Sequence, residues 1–227
     1  MTGAAKENAP LPAGAAGVVA ELAGRRPDLR GATGGLAAAW RLIARTFEAG
    51  GILYLCGNGG SFADAVHIKG ELGKRFGQAR PLTDAGLMER LRTSELGRQL
   101  GERLEGGLPA VVLGESHSLR SAVDNDGEAR FHFAQELHSL AAWVRGGALL
   151  GISTSGRAEN VLAAMTLARA HGLGTISFTG PADSPLARLA EVDWRVPGAT
   201  TAEIQENQAP LYHALCRMLE VHFFGGR

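Results

Sequence analysis

Short runs of apolar residues recur along the chain and predict five β-strands. Each run has four or five residues, and most of the runs are apolar throughout rather than alternating between apolar and polar positions. A strand with that pattern is buried on both faces, as the strands of a parallel sheet are. The predicted strands are Ile52–Cys56, Ala110–Leu113, Ala148–Ile152, Thr175–Phe178 and Val192–Val196.

Segments with the apolar period of an α-helix separate these strands. They lie at 36–49, 61–75, 130–144, 158–171 and 203–223. Strand and helix in repeated alternation are typical of an α/β fold with a doubly wound parallel sheet. We therefore predict a five-stranded parallel sheet flanked by helices, a three-layer sandwich. A ligand of such a sheet binds beyond the carboxyl ends of the strands.

Residues 77–108 interrupt this alternation of strands and helices with a charged stretch of helical character. Within it, Leu96, Leu100 and Leu104 recur every four residues and form an apolar stripe among charged positions. The segment is too short for a separate domain, so we predict an enlarged crossover or an arm that packs between subunits. Residues 1–16, rich in Ala, Pro and Gly, are predicted to form a disordered tail, and residues 17–227 a single domain.

Charge and composition exclude several classes of function. The chain has 227 residues with 23 basic and 23 acidic side chains, and this zero net charge does not favour binding to nucleic acid or to an anionic membrane. No apolar run approaches the roughly 20 residues of a membrane span, and the N-terminus lacks the features of a signal peptide. Cys56 and Cys216 are too few for a disulfide framework, so we expect reduced thiols in a cytoplasmic protein.

Two polar loops follow the first and third predicted strands. The first is Gly57-Asn58-Gly59-Gly60-Ser61, and the second is Ser153-Thr154-Ser155-Gly156. Each leads into a predicted helix, where backbone N–H groups and hydroxyls are available to an anion. Both loops are expected at the same edge of the sheet. They predict a phosphate site there, although a glycine-rich turn alone also serves as a plain connection between strand and helix.

His67 and Glu71 stand four residues apart on the helix that follows the glycine-rich loop, so they share a face. An imidazole and a carboxylate at this spacing can chelate one divalent ion, or they can form an ordinary surface pair. The last helix adds Gln205 and then His213, which lies among apolar neighbours. His213 is therefore a candidate ligand or a hydrogen-bonded core histidine.

Together these motifs resemble the sedoheptulose 7-phosphate isomerases, or phosphoheptose isomerases, which are single-domain members of the sugar isomerase (SIS) superfamily. The resemblance covers about residues 36–224 and keeps the family's order of motifs. It implies a SIS-type, flavodoxin-like sandwich. The matching residues are Gly57–Ser61, His67, Glu71, Asn125, Asp126, Gly151–Gly156, Thr179, Gly180, Ile204–Glu206 and His213.

The resemblance also implies an assembly, a cofactor and a reaction. The protein would be a homotetramer with its active sites at subunit interfaces and one zinc ion per subunit. It would convert sedoheptulose 7-phosphate to D-glycero-D-manno-heptose 7-phosphate. The implied metal ligands are His67, Glu71, Gln205 and His213. The implied substrate-binding residues are Asn58, Gly59, Gly60, Ser61, Glu71, Asn125, Asp126, Ser153, Thr154, Ser155 and Gln205.

The chemistry of this conversion can be assigned to side chains. A base must remove a proton from carbon, the enediolate must be stabilised, and an acid must return a proton. Glu71 is a natural base and His213 a natural acid, and a divalent ion would stabilise the developing oxyanion. Gln205 and His213 are eight residues apart, about 12 Å along a straight helix. Either the helix opens near Gln205 or neighbouring subunits share the site.

Two alternative functions are compatible with the same predicted fold. One is a SIS domain that binds or senses a sugar phosphate without turnover, and the other is an enzyme acting on a different sugar phosphate. Two departures from the family's pattern bear on the substrate. Ala158 stands where the family often has a serine, beside Arg157, which could contact phosphate in its place or could simply face solvent. Ala202 replaces a frequent acidic residue, although Glu203 follows it.

Overall fold

The protein was analysed as a computed structural model, in which residues 10–144 and 146–225 are described. A single sheet contains five strands, all parallel, and each lies where the apolar runs predict one. Their bounds differ from the predicted ones by at most one residue at either end. The strands are β1 (Ile52–Gly57), β2 (Ala110–Val112), β3 (Gly147–Ser153), β4 (Gly174–Thr179) and β5 (Val192–Arg195).

The strand order is β2-β1-β3-β4-β5, which is the order of flavodoxin-like sheets. The chain leaves β1 to form β2 on one side and then returns to form β3 on the other. A crevice consequently opens outside the carboxyl ends of β1 and β3, where ligands of such sheets bind. The glycine-rich loop follows β1 and the serine loop follows β3, so both polar loops lie at the same edge of the sheet, as predicted, and they meet at this crevice.

Helices cover both faces of the sheet, because successive side chains of its central strands point to opposite sides. Leu53 and Leu55 join one apolar core, while Tyr54 and Cys56 join the other. The predicted three-layer sandwich is confirmed. The helices are α1 (Ala13–Arg25), α2 (Thr33–Glu48), α3 (Gly60–Gly73), α4 (Ala85–Leu91), α5 (Glu95–Arg103), α6 (His117–Asp126), α7 (His132–Ala141), α8 (Glu159–Ala170), α9 (Pro185–Leu189) and α10 (Thr201–Phe224).

Three helices lie where none was predicted, namely α1, α6 and the short α9. Helix α1 begins at Ala13, inside the segment expected to be a disordered tail, and its Ala15, Val18 and Leu22 are buried. Residues 1–9 of that tail lie outside the described residues. Helix α6 buries no residue.

The segment 77–108 forms a hairpin of two short helices, α4 and α5. An antiparallel bridge between Pro81 and Glu105 closes its base. The apolar stripe predicted along this segment faces outward, since Leu96, Leu100 and Leu104 are 66%, 38% and 49% exposed. The helical character is confirmed, and packing of this arm against another subunit stays a prediction.

The structure also bears on the two cysteines and on the expected lack of a membrane span. Cys56 and Cys216 are both unpaired and buried, in agreement with the expected reduced thiols. In the part of the chain that the structure describes, no helix is both long enough and apolar enough to cross a bilayer.

Candidate active site

The glycine-rich loop between β1 and α3 is shaped by residues without a side chain. Gly59 has a φ of +54°, in the left-handed region that favours glycine. A Cβ on Gly60 would lie 2.3 Å from Nε2 of Gln205, so this glycine makes room for a side chain of α10. In residues 10–144 and 146–225, no backbone carbonyl accepts from the N–H groups of Gly59 and Gly60. These two donors suit an anionic ligand.

The serine loop lies next to the glycine-rich loop. Asn58 and Asn160 exchange two side-chain hydrogen bonds of 2.8 Å, and this reciprocal amide pair joins the first loop to the first turn of α8. Ser153 is buried and its hydroxyl accepts from the N–H of Gly156, while Ser155 is exposed. The two predicted phosphate loops thus form one continuous polar edge. Asn160 was not predicted, because its partner is 102 residues away.

Ala158 occupies the N-cap position of α8, and its methyl group provides no hydrogen bond to the first turn. Its backbone is extended, as an N-cap requires. Replacing Ala158 by Ser should therefore raise the free energy of unfolding by about 0.5–2 kcal/mol and lower the KM for a phosphorylated substrate.

Chemical denaturation and steady-state kinetics measure both effects of Ala158→Ser. The matched control is Ala170→Ser at the exposed end of the same helix, which adds a hydroxyl without a cap. Equal stability changes in the two variants would show that the hydroxyl introduced at the N-cap position does not cap the helix.

Helices α3 and α10 pack side by side and run in the same direction. Gln205 lies against Gly60 at their beginning. Tyr212 and His213 lie against His67 two turns later. Further along, the Glu220 carboxylate accepts from the backbone of the segment that follows α3. The two helices therefore place the glycine-rich loop and the His67–Glu71 pair at different levels along a shared groove.

His67 is the centre of the candidate catalytic cluster. Its Nε2 lies 3.0 Å from Oε1 of Glu71, and its Nδ1 lies 3.0 Å from the hydroxyl of Tyr212. The ring of His213 is 5.0 Å from the ring of His67, centre to centre. The side chains of His67 and Glu71 are 44% and 19% exposed. The cluster therefore opens to the outside of the chain, where a ligand or another subunit can reach it.

His213 has a buried ring nitrogen without a protein partner. Its Nε2 makes no hydrogen bond, which differs from the alternative of a hydrogen-bonded core histidine. Burial lowers the pKa of His213, the neighbouring His67 lowers it further, and Glu71 opposes the shift. A neutral imidazole with a free nitrogen is suited to bind a metal ion or a substrate hydroxyl.

Behind His67 lies Asp64, one turn earlier on α3. Burial raises the pKa of Asp64, whereas a hydrogen bond with Tyr212 lowers it. Its Oδ2 is buried without a partner. Asp64 and Tyr212 were not among the predicted site residues, because an acidic residue on a helix and a tyrosine in an apolar stretch carry no distinctive signal.

The donor set fits a divalent zinc ion in its chemistry. Two imidazoles and a carboxylate are common zinc ligands, and the unpartnered Nε2 of His213 is a nitrogen that such an ion would satisfy. In the described residues, no group of three or more His, Cys, Asp or Glu side chains is arranged to hold a metal ion as they stand. Binding would therefore require side-chain movement or a ligand from another chain.

Gln205 is not part of this cluster in the same chain. Helix α10 runs without interruption from Thr201 to Phe224, even through Pro210. Gln205 and His213 are consequently about 12 Å apart along the axis, and Gln205 lies beside Gly60. The alternative in which the helix opens near Gln205 is wrong.

A buried ion pair joins the ends of the two helices. Nε of Arg80 donates to the Glu220 carboxylate over 2.8 Å, and the side chains are 0% and 2% exposed. The same guanidinium donates to the backbone carbonyls of Glu71 and Leu72 at the end of α3. This brace holds the helix turn that carries Glu71 against α10. Sequence reasoning missed it, because the pair spans 140 residues.

The remaining predicted residues lie apart from the His67 cluster. Asn125 and Asp126 are exposed at the end of α6, and Asn125 donates to Asp126 over 2.6 Å. Glu203 lies in the first turn of α10, where its carboxylate accepts from the N–H of Ala199 and its own N–H donates to the hydroxyl of the N-cap residue Thr200. Glu203 therefore serves the helix end. Arg157 is exposed, and its side chain makes no hydrogen bond or ion pair within the described residues.

Two clefts formed by the described residues lie away from this edge. They have volumes of about 390 and 430 Å³ and are lined by residues of α2, α8, α9, β4 and β5 and by their connections. Neither includes a residue of the glycine-rich loop, the serine loop or the His67 cluster.

Comparison with known proteins gives concordant results. The family model for the SIS domain matches residues 29–106. A phosphoheptose isomerase of Roseiflexus sp. is 35% identical over 80% of this chain and 79% of its own length, and one of Alkalilimnicola ehrlichii is 34% identical over 86% and 87%.

Solved structures agree with the sequence relatives. The structure of a phosphoheptose isomerase from Francisella tularensis has a TM-score of 0.65 and 28% identity, covering 82% of this chain and 84% of its own. That of a phosphoheptose isomerase from Neisseria gonorrhoeae has a TM-score of 0.65 and 27% identity, covering 90% and 96%. The chain therefore belongs to the phosphoheptose isomerase family.

Proposed function

We propose that the protein converts sedoheptulose 7-phosphate to D-glycero-D-manno-heptose 7-phosphate. The observation that carries the proposal is the cluster of Glu71, His67 and the unpartnered Nε2 of His213 on the helices that border the two phosphate loops. A carboxylate and a neutral imidazole side by side can exchange protons with neighbouring carbon and oxygen atoms of a sugar. A protein that only bound the sugar phosphate would not need this pair.

The roles of the chain's own residues follow from their positions. The free N–H groups of Gly59 and Gly60, with the hydroxyls of Ser61 and Ser155, bind the phosphate. Glu71 removes a proton from C1 of the ketose and delivers it to C2. His213, whose burial favours the neutral ring, passes a proton between the two sugar oxygens. Zinc held by His67, Glu71 and His213 would stabilise the negative charge of the enediolate.

The direct test is to incubate the purified protein with a panel of sugar phosphates and follow aldose–ketose exchange. We expect exchange with sedoheptulose 7-phosphate, and slower or no exchange with pentose and hexosamine phosphates. Tight binding of sugar phosphates without turnover of any of them would contradict the isomerase assignment. It would instead support a domain that binds or senses its ligand.

We further propose that two chains complete each active site within a homotetramer in the cytoplasm. The His67 cluster is open in one chain, and Gln205 stands two helical turns away from it. Gln205 of a second copy can supply the missing ligand. The residues Asn125 and Asp126, exposed on α6, are likewise assigned to substrate across the interface.

Mixing inactive variants tests this sharing. Gln205→Ala and His213→Ala proteins, unfolded together and refolded as mixed oligomers, should regain part of the activity, because some sites receive an intact Gln205 from one chain and an intact His213 from the other. Steady-state turnover of the mixture measures the recovery.

The control mixture combines Glu71→Gln with His213→Ala. Both residues belong to the same cluster of one chain, so no site in this mixture receives both intact. Recovery in the control, or none in the first mixture despite demonstrated subunit exchange, would contradict the shared site.

Removal of divalent ions is expected to reduce turnover at least about 10²-fold, since a bound ion contributes several kcal/mol of charge stabilisation. Elemental analysis should find about one zinc per chain, and added zinc should restore the activity of the chelated protein.

A matched pair of histidine variants separates this zinc from adventitious metal. His213→Ala should lose the ion, whereas His138→Ala should keep it, because His138 pairs with His171 over 3.1 Å on a different surface. Undiminished turnover by metal-free protein would exclude the assigned role of zinc.

A further inference from the structure

The hydroxyl of Tyr212 is in contact with the imidazole of His67 on the side away from Glu71. It lies 3.0 Å from Nδ1 of His67, while Nε2 of the same ring lies 3.0 Å from Glu71. Tyr212 is buried, and its ring packs edge-on against the rings of both His67 and His213. Both nitrogens of His67 are therefore held by neighbouring side chains.

The hydrogen-bond capacity of these partners differs. An ionised carboxylate only accepts, so the Nε2 that faces Glu71 carries the ring proton and Nδ1 accepts from Tyr212. A metal ion on Nε2 would need the opposite tautomer, in which the proton resides on Nδ1. A tyrosine hydroxyl can serve both states, because it donates one hydrogen bond and also accepts.

Asp64 completes the arrangement. When the Tyr212 hydroxyl accepts from Nδ1–H, its own proton needs another acceptor. Asp64 lies close enough to Tyr212 for its carboxylate to raise the pKa of the hydroxyl, and its buried Oδ2 has no hydrogen-bond partner. This oxygen is therefore available to accept the Tyr212 proton when the hydroxyl accepts from Nδ1–H of His67.

We propose that Tyr212, supported by Asp64, is a positioning residue that orients His67 and stabilises the tautomer whose Nε2 is free to bind the metal ion. The inference rests on the proposed zinc-dependent function. Removing the Tyr212 hydroxyl leaves Nδ1–H without its acceptor, which disfavours this tautomer. Loss of such an outer hydrogen bond typically weakens metal binding about 10–100-fold.

The test compares Tyr212→Phe with Tyr54→Phe. Both changes remove one buried hydroxyl, but the Tyr54 hydroxyl has no hydrogen-bond partner and belongs to the core on the other face of the sheet. Competition with a chromophoric chelator measures zinc affinity, and ¹⁵N spectra of labelled histidine in the metal-free protein report the tautomer of His67. Asp64→Asn is measured in the same way.

We expect Tyr212→Phe to bind zinc about 10–100-fold more weakly, to change the His67 tautomer signals, and to lower kcat at constant metal with little change in KM. Asp64→Asn should shift zinc affinity in the same direction, and Tyr54→Phe should resemble the unsubstituted protein. Unchanged zinc affinity and unchanged His67 signals in Tyr212→Phe would overturn the inference.

The two readouts also separate this inference from the proposed reaction. If the unsubstituted protein fails to isomerise any heptose phosphate but Tyr212→Phe still alters zinc affinity and the His67 signals, the reaction is wrong and the positioning role stands. If the unsubstituted protein isomerises the sugar and the variant behaves like it in both readouts, only the positioning role fails.

Discussion

Replacing Glu71 by Gln should lower kcat at least about 10²-fold, because the amide cannot accept the proton from carbon. The substitution keeps the size of the side chain and its capacity to hydrogen-bond with His67, which lies 3.0 Å away. The phosphate loops are unchanged, so KM should change much less. Steady-state kinetics with incorporation of solvent deuterium into the product measures both the turnover and the proton-transfer step.

Two further variants make this result specific. Glu102→Gln on the exposed face of α5 removes a carboxylate far from the site and should leave the kinetics unchanged. Ser155→Ala in the serine loop should mainly raise KM, because a phosphate remote from the reacting carbons contributes uniform binding. If Glu71→Gln exchanges the carbon-bound proton at the unsubstituted rate, Glu71 is not the base, and His213 becomes the leading candidate.

The second large effect concerns stability. Replacing Glu220 by Gln should lower the free energy of unfolding by about 3–5 kcal/mol, because it leaves the buried charge of Arg80 uncompensated. The Glu220 carboxylate also accepts from the N–H groups of Phe76 and Gly77, each over 2.8 Å, and the amide can satisfy only part of this set. Denaturant unfolding at a fixed protein concentration measures the loss.

Arg75 and Glu105 form the matched control, an ion pair of 3.1 Å in which Arg75 is mostly exposed. Arg75→Ala should cost no more than about 1 kcal/mol, as surface pairs do. Equal losses of unfolding free energy in the two variants would show that burial does not increase the contribution of the Arg80–Glu220 pair to stability. Because Arg80 also binds the carbonyl of Glu71, Glu220→Gln should reduce kcat as well, in a smaller proportion than Glu71→Gln.

In the cluster of His67, Tyr212 and His213, one side is exposed at the surface of the single chain, whereas the contacts behind that side are buried. His67 points partly outward, while the hydroxyl behind it and the nitrogen of His213 are shielded. A ligand reaching this cluster from a second chain would meet side chains that are already oriented. Preorganisation of this kind lowers the cost of binding and of charge development.

The sequence by itself determined the sheet and the two loops at its edge. Runs such as Leu53–Cys56 and Ala148–Ile152 are apolar at every position, and only a strand covered on both faces satisfies such a run. The alternation of strand and helix then places the carboxyl ends of all the strands, and with them both loops, at one edge of the sheet. The shared face of His67 and Glu71 also follows from local geometry, since residues four apart on a helix are neighbours.

Tertiary structure alone decided which of the distant residues meet. The register between α3 and α10 brings His213 to His67 and leaves Gln205 at Gly60. That register depends on side-chain packing between segments about 145 residues apart, which no local periodicity encodes. The Arg80–Glu220 brace and the Asn58–Asn160 pair have the same origin. The role of such a polar side chain depends on its hydrogen-bond or ion-pair partner, and the packing of the helices determines which partner it meets.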